Sequence, residues 1–236
     1  MQGDCLERMK EIESGSVDMI LTDPPYGTTA CKWDSIIPLE PMWEQLKRII
    51  KPNGAIVMTA SQPFTTTLIS SNMKMFKYCW VWEKSKAPNF VQVKNQPLKN
   101  YEDVLVFTSK GEKANYFPQM TAGESYKPRA GKKESEVYNK IPNHKFRNGS
   151  NGKRYPKSIQ YFKTAENEGG LHPTQKPVSL MEYLIKTYTN EGETVLDFTM
   201  GSGSTGVAAK NLNRDFIGIE LGETYFNIAQ ERIANA

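Results

Sequence analysis

Near the carboxyl end of the chain, Gly201-Ser202-Gly203-Ser204-Thr205-Gly206 separates a strand-like run, Thr194–Phe198, from a helix-like one, Ser204–Leu212. Glycines at this spacing permit a tight turn and let a ligand lie against the backbone, and the helix start offers unpaired N–H groups. Glu220 closes the next strand pattern 19 residues after Gly201, where a carboxylate can accept from both hydroxyls of a ribose. A nucleoside-bearing cofactor is therefore expected, with a plain strand–turn–helix corner as the bland alternative. Position adds the stronger constraint. Of 236 residues, 30 follow Gly206, room for one strand and one helix. An open nucleotide-binding sheet needs about five or six strands. The others must come from the first half, so the order is circularly permuted: catalytic strands first, cofactor strands last. Nicotinamide enzymes normally place the turn at the start of the nucleotide domain, which speaks against them.

The first half supplies such strands. Leu6, Met9 and Ile12 read as a short amphipathic helix and Val17–Leu21 as a buried strand. Pro41–Ile50 is helical in pattern, Ala55–Met58 a strand, and Tyr78–Trp82 and Val104–Thr108 are further strands. After residue 177, Val178–Tyr188 reads as a helix, Asp215–Glu220 as a strand and Thr224–Ile233 as a closing helix. This rhythm implies an α/β fold: a Rossmann-like, mostly parallel sheet with helices on both faces. The rhythm fails from 111 to 170, where Gly, Pro, Asn, Ser, Lys and Tyr dominate. Three regions are expected: a catalytic half at 1–110, an irregular basic insertion at 111–170 and a cofactor-binding half at 171–236.

The net charge of +4 is unevenly placed. Residues 111–170 carry 9 Lys and 3 Arg against 6 Glu, a net +6, which leaves the remainder at −2. A basic segment on a slightly acidic body fits a polyanionic partner, although a solvated loop would look the same. Cys5, Cys31 and Cys79 form no CxxC pair, and His144 and His172 are the only histidines, so neither a disulfide framework nor a metal centre is expected. No apolar run approaches the roughly 20 residues of a membrane span. Met1-Gln2-Gly3-Asp4 does not begin a signal-peptide pattern, and a cytoplasmic location is expected.

Asp23-Pro24-Pro25-Tyr26 directly follows the first buried strand. Loops at the carboxyl ends of parallel strands are where such sheets place their chemistry. Two prolines fix the backbone and remove two N–H donors. The loop then presents acceptors, the Asp23 carboxylate and the carbonyls beside the prolines, together with the flat ring of Tyr26. That set suits an amino group on an aromatic ring: Asp23 and the Pro24 carbonyl accept its hydrogens and Tyr26 stacks. A rigid turn with a capping Asp is the alternative.

With these motifs in this order the chain resembles the β-class amino-methyltransferases of DNA. Gly3-Asp4-Cys5-Leu6, Ser16-Val17-Asp18, Asp23-Pro24-Pro25-Tyr26, His172-Pro173-Thr174-Gln175-Lys176-Pro177, Leu196-Asp197 and Gly201-Ser202-Gly203 carry the resemblance. It implies S-adenosylmethionine as methyl donor, a nucleobase amino nitrogen as acceptor, and double-stranded DNA as partner. Asp at the first loop position is more typical of adenine N6, and Ser of cytosine N4. The implied reaction is direct in-line attack by the N6 amino group of a flipped adenine, with no covalent enzyme intermediate. The implied catalytic residues are Asp23, Pro24 and Tyr26. The implied cofactor contacts are Asp4, Cys5, Thr174, Lys176, Asp197, Phe198, Gly201, Gly203 and Glu220, with Lys176 reaching a carboxylate. In the basic insertion, Lys127, Arg129, Lys132, Lys133, Arg147, Lys153 and Arg154 are suited to phosphate contacts. Lys84 and Lys86 are candidates for contact with DNA or the active-site loop. A role in restriction–modification is implied as well, and homodimerisation is an open expectation.

Two departures stand out. The family usually has Asp-Pro-Phe-x-Gly before the glycine turn; here Asp197-Phe198-Thr199-Met200-Gly201 puts Thr199 at the aromatic position. Few residues precede Asp4, so one sheet strand is expected to be missing. The alternatives are a cytosine-N4 methyltransferase and, from a different class, a catalytically silent DNA-binding module.

Overall fold

The computed structural model describes residues 1–28, 31, 34–109, 111–127, 151–168, 171 and 174–236. The chain divides into two compact units, Met1–Phe117 with Ser158–Ala236, and Pro118–Lys157. The division falls inside the expected 111–170 insertion: residues at both of its ends belong to the α/β unit.

In the α/β unit the strands are β1 (Val17–Thr22), β2 (Ile50–Ala60), β3 (Phe76–Lys84) and β4 (Tyr101–Phe107) in the first half. The second unit contributes β5 (Thr121–Ala122) and β6 (Lys153–Arg154), paired with each other. The α/β unit resumes with β7 (Ile159–Phe162), β8 (Thr194–Asp197) and β9 (Asp215–Gly218). Its helices are α1 (Cys5–Met9), α2 (Leu39–Ile49), α3 (Phe64–Ser71), α4 (Val178–Tyr188), α5 (Ser204–Asn211) and α6 (Glu223–Ala234). The seven-stranded sheet has the order β7-β3-β4-β2-β1-β8-β9. β1 pairs in parallel with both β2 and β8, β8 with β9, and β3 with β7; β4 alone runs antiparallel, between β2 and β3. The late strand β8 thus lies directly beside β1, with β9 beyond it at the sheet edge, as the permuted order requires. The chain reverses direction across the sheet between β1 and β8, the place where open α/β sheets bind ligands.

Alternation along β1 assigns the two faces. Ile20 points into a core with Met42, Leu46 and Ile49 of α2 and Phe64 and Leu68 of α3. Met19 and Leu21 point the other way, onto Leu180, Leu184 and Ile185 of α4 and Ala208 and Ala209 of α5. The helix α2 forms because Met42, Leu46 and Ile49 recur at helical spacing. Pro41 is tolerated in its first turn, where N–H groups have no partner. The four residues between the expected helix Pro41–Ile50 and the expected strand Ala55–Met58, Lys51-Pro52-Asn53-Gly54, lie within β2. β2 begins at Ile50 and bulges, its register jumping from Val17↔Ile50 to Met19↔Ala55.

Ahead of α1 the chain makes a single bridge to the sheet. Gln2 pairs in parallel with Glu220, Gly3 N donates to the Glu220 carbonyl at 2.9 Å, and the terminal amine donates to the Gly218 carbonyl at 2.7 Å. That brings Asp4 to the carboxyl end of β9, where its Oδ1 caps α1 by accepting from Leu6 N at 2.8 Å and Glu7 N at 3.2 Å.

The third glycine of the turn has a packing role. A Cβ on Gly206 would lie 2.3 Å from Ile233 Cδ1 of α6 and 2.7 Å from the Phe216 ring of β9. Gly206→Ala is expected to destabilise the α/β unit by about 1–3 kcal/mol, as overpacking does. Chemical denaturation of both proteins measures it, and equal midpoints would contradict the packing.

Candidate active site

Parallel pairing of β1 with β8 sends two loops out of the sheet side by side: Asp23-Pro24-Pro25-Tyr26 after β1, and Phe198–Gly203 after β8. Threonines join them. The Thr22 hydroxyl donates to Asp197 Oδ1 at 2.7 Å and lies 2.6 Å from the Thr199 hydroxyl, which donates to the Asp23 carbonyl at 3.1 Å. Thr199 is thus a link between the two motifs. At the position where the family usually has an aromatic, Thr199 supplies a hydrogen bond.

Asp197 holds this junction from below. It is 3% exposed, and Thr205 Oγ1 and Thr199 N donate to it in addition to Thr22, at 2.6 and 3.1 Å. Burial outweighs these donors and raises its pKa to about 6. Phe198 is 1% exposed and belongs to the core with Ile20 and Ile219. The structure therefore places Asp197 and Phe198 beneath the site surface, because their side chains turn inward.

The Asp23 carboxylate does not sit in a pocket of acceptors alone. Oδ1 accepts from the Tyr26 hydroxyl at 2.6 Å and from the Thr59 hydroxyl on β2, and Oδ2 accepts from Lys176 Nζ. A carboxylate offers about four lone-pair sites, so one on Oδ2 stays open. Among the described residues no donor reaches the Pro24 carbonyl. Tyr26 stacks on Phe64 with centroids 5.4 Å apart and planes at 24°, so one ring face is covered. Burial, with the Asp23 and Glu102 charges, pushes its hydroxyl well above the usual tyrosine value and keeps it a donor.

Lys176 is 8% exposed and lies between two carboxylates, paired with Asp23 and 3.5 Å from Glu102 Oε2. Burial disfavours its ammonium, but the Asp23 and Glu102 charges together outweigh burial and raise its pKa. Glu102 Oε1 is bonded by Lys84, and Oε2 is buried without a hydrogen bond. Thr59, Phe64 and Glu102 carry no signal in the sequence: pairing across the sheet brings Thr59 and Glu102 to the Asp23–Lys176 pair, and packing of α3 brings Phe64 to Tyr26. Lys84 points to Glu102 on the active-site side, and Lys86 pairs with Glu166.

On the β9 side, Glu220 Oε2 accepts from Gly201 N at 2.9 Å and Oε1 from Gly222 N at 2.8 Å, which orients the carboxylate and leaves about two of its lone-pair sites. Gly203, at φ 82°, caps α5 in the left-handed region and leaves the first amides of that helix without a side-chain cap. Ser202 Oγ contacts Gln175 Oε1 at 3.5 Å, so the Thr174–Lys176 segment lies against the turn. Thr174 is exposed. Burial, then the Asp4 charge, pushes the Cys5 thiol to about 11, so it is neutral near pH 7. In the second unit, Arg154 lies 4.8 Å over the Tyr126 ring, and Lys127 and Lys153 are exposed. Arg129, Lys132, Lys133 and Arg147 lie outside the described residues, as do His172 and Pro173.

The DNA methylase family model, of N6/N4 type, matches residues 17–231. The type II methyltransferase M.HpaI of Haemophilus parainfluenzae is 26% identical over 243 residues, 97% of this chain and 72% of that protein. Among solved structures, the M1.HpyAVI–SAM complex has a TM-score of 0.68 at 26% identity, covering 98% of this chain and 97% of that chain. The cytosine-N4-specific PvuII DNA methyltransferase shares the fold, with a TM-score of 0.68 at 16% identity over 98% of this chain and 84% of that chain.

Because folding raises the Asp197 pKa, its protonated form is the one the native state favours. That stabilisation is complete below about pH 4 and is lost as the pH rises to about 6, a swing of ~3 kcal/mol. Asp197→Asn is expected to remove this pH dependence. Urea unfolding between pH 4 and 7 reads it, and parallel curves for the two proteins would contradict the assignment.

Proposed function

The chain belongs to the N6/N4 DNA methylase family, and from that premise we propose that it methylates the N6 amino group of adenine in double-stranded DNA, using S-adenosylmethionine. The observation that carries this reading is the direct hydrogen bond from Thr199, before the glycine turn, to Asp23 in the amino-accepting loop.

The residues present fit the cofactor. Two lone-pair sites left on Glu220 suit a ribose diol, the uncapped start of α5 and the Lys176 ammonium suit a carboxylate, and Asp4 and Cys5 flank the β9 end. When bound, the cofactor supplies an electrophilic methyl group on a sulfonium. Asp197 and Phe198 support this site from beneath without touching it.

Toward the base, the open Oδ2 lone pair of Asp23 and the Pro24 carbonyl accept the two amino hydrogens. Asp23 then takes the proton that the nitrogen sheds on methylation. Lys176 has a second seat: as the amino group takes Oδ2, the buried Glu102 Oε2 can receive the ammonium and keep it paired. Tyr26 and Thr59 fix the carboxylate plane; Phe64 stacks on the Tyr26 ring and Lys176 Nζ lies over it, 6.0 Å from the centroid, so a base stacks there only as the ammonium moves to Glu102. Asp at the first position of the loop supports adenine. The basic second unit supports a duplex partner, with Lys127, Arg129, Lys132, Lys133, Arg147, Lys153 and Arg154 as phosphate contacts.

DNA from cells expressing the chain, read for modified bases, is expected to carry N6-methyladenine in one sequence context. Asp23→Ala is expected to lower methylation by about 10²–10⁴-fold while cofactor affinity changes little. N4-methylcytosine as the product would move the target to cytosine. Cofactor binding without any methylated base would favour a silent DNA-binding module.

A further inference from the structure

The β3–β4 hairpin loop, residues 85–100, is not explained by the fold or by the site. It holds Lys86, Lys94 and Lys99 and no acidic residue. Val91 and Phe90, 80% and 71% exposed, are the most exposed large apolar side chains of the α/β unit among the described residues, with Val93 and Leu98 beside them in the loop. Such a group gains nothing from folding, and apolar surface rimmed by charge marks an interaction site.

The loop is braced. Asn89 Nδ2 donates to the Pro97 carbonyl at 2.9 Å, and Asn89 Oδ1 accepts from Lys99 N at 2.8 Å. Residues Phe90–Gln92 form a helical turn, and Lys84 N closes the base on the Asn100 carbonyl at 2.7 Å. The apolar tip is therefore held out on a bonded frame.

Its place follows from strand direction. β1 and β2 run together, β4 runs against β2, and β3 runs against β4. β3 therefore ends at the same edge of the sheet as β1, and the loop leaves from the edge that carries Asp23. Its roots adjoin the site: Lys84 bonds Glu102, next to Lys176, and Lys99 bonds Ser61, two residues past the Thr59 that bonds Asp23.

We propose that this loop is a wedge for duplex DNA, with Phe90 and Val91 entering the base stack beside the target and occupying the space the flipped base leaves. This inference rests on the DNA-methylating reading above. An apolar knob flanked by lysines matches a base stack flanked by phosphates, and insertion of apolar side chains between base steps is an established way to open a duplex. A target already unpaired needs less opening, so dependence on the wedge falls with it.

The test is single-turnover methylation by the whole chain and by Phe90→Ala/Val91→Ala, at saturating cofactor. One duplex is fully paired at the wild type's own recognition site; the other has an abasic position opposite the target base. Because both side chains are exposed, the variant is expected to match the wild type in thermal melting and cofactor affinity. It should be at least about tenfold slower on paired DNA and within about threefold on the unpaired target. An unchanged rate on paired DNA, or an equal loss on both substrates, overturns the wedge alone. A wild-type protein that methylates neither duplex overturns the function reading, and the wedge with it.

Discussion

Everything in the site depends on one buried carboxylate. Asp197 ends β8 and accepts from Thr22 at the end of β1, from the backbone of Thr199 in the turn, and from Thr205 in α5. Three segments from opposite ends of the chain are thus fixed to two oxygen atoms. Parallel pairing of β1 with β8 sets the loops side by side, but sheet hydrogen bonds end at the strand ends. Beyond them the threonine hydroxyls keep the loops in register, and Thr199 extends the link to the carbonyl of Asp23 itself. A buried carboxylate costs desolvation, which its raised pKa records, and its donors offset part of that cost.

Above this junction lies a chain of alternating charge: Lys84, Glu102, Lys176 and Asp23. Removing one member of such a buried set leaves another uncompensated, so the set specifies geometry more than it adds stability. Its members come from β3, β4, the segment before α4 and the loop after β1. The antiparallel strand β4 is what makes it possible, since it carries Glu102 to the active-site edge beside β2.

The strand and helix pattern was legible because periodicity is local. Val178–Tyr188 is a helix over the range its pattern implies, and counting strands against the late position of Gly201 was enough to establish the permuted order. Residues of the candidate site were legible where they lie in motifs, as with Asp23 and Lys176, which the structure pairs. Thr59 and Glu102 were not, since a polar residue in a strand reads as a surface position until its neighbours across the sheet are known. The antiparallel direction of β4 was hidden for the same reason: residue spacing in a strand does not record which way its partner runs. Thr199 was visible only as a departure from the family's pattern, and only the proximity of Thr22 and the Asp23 carbonyl gives its hydroxyl a partner.

The most direct test of this account is to remove that hydroxyl alone. Thr199→Val keeps the shape of the side chain and the backbone bond to Asp197. Single-turnover methyl transfer is measured beside the cofactor dissociation constant. The account expects a rate at least about tenfold lower with cofactor affinity nearly unchanged, since misplaced reacting groups are what slow such a reaction. A variant as fast as the wild type would show that the two loops hold their alignment without Thr199, and would contradict the central claim.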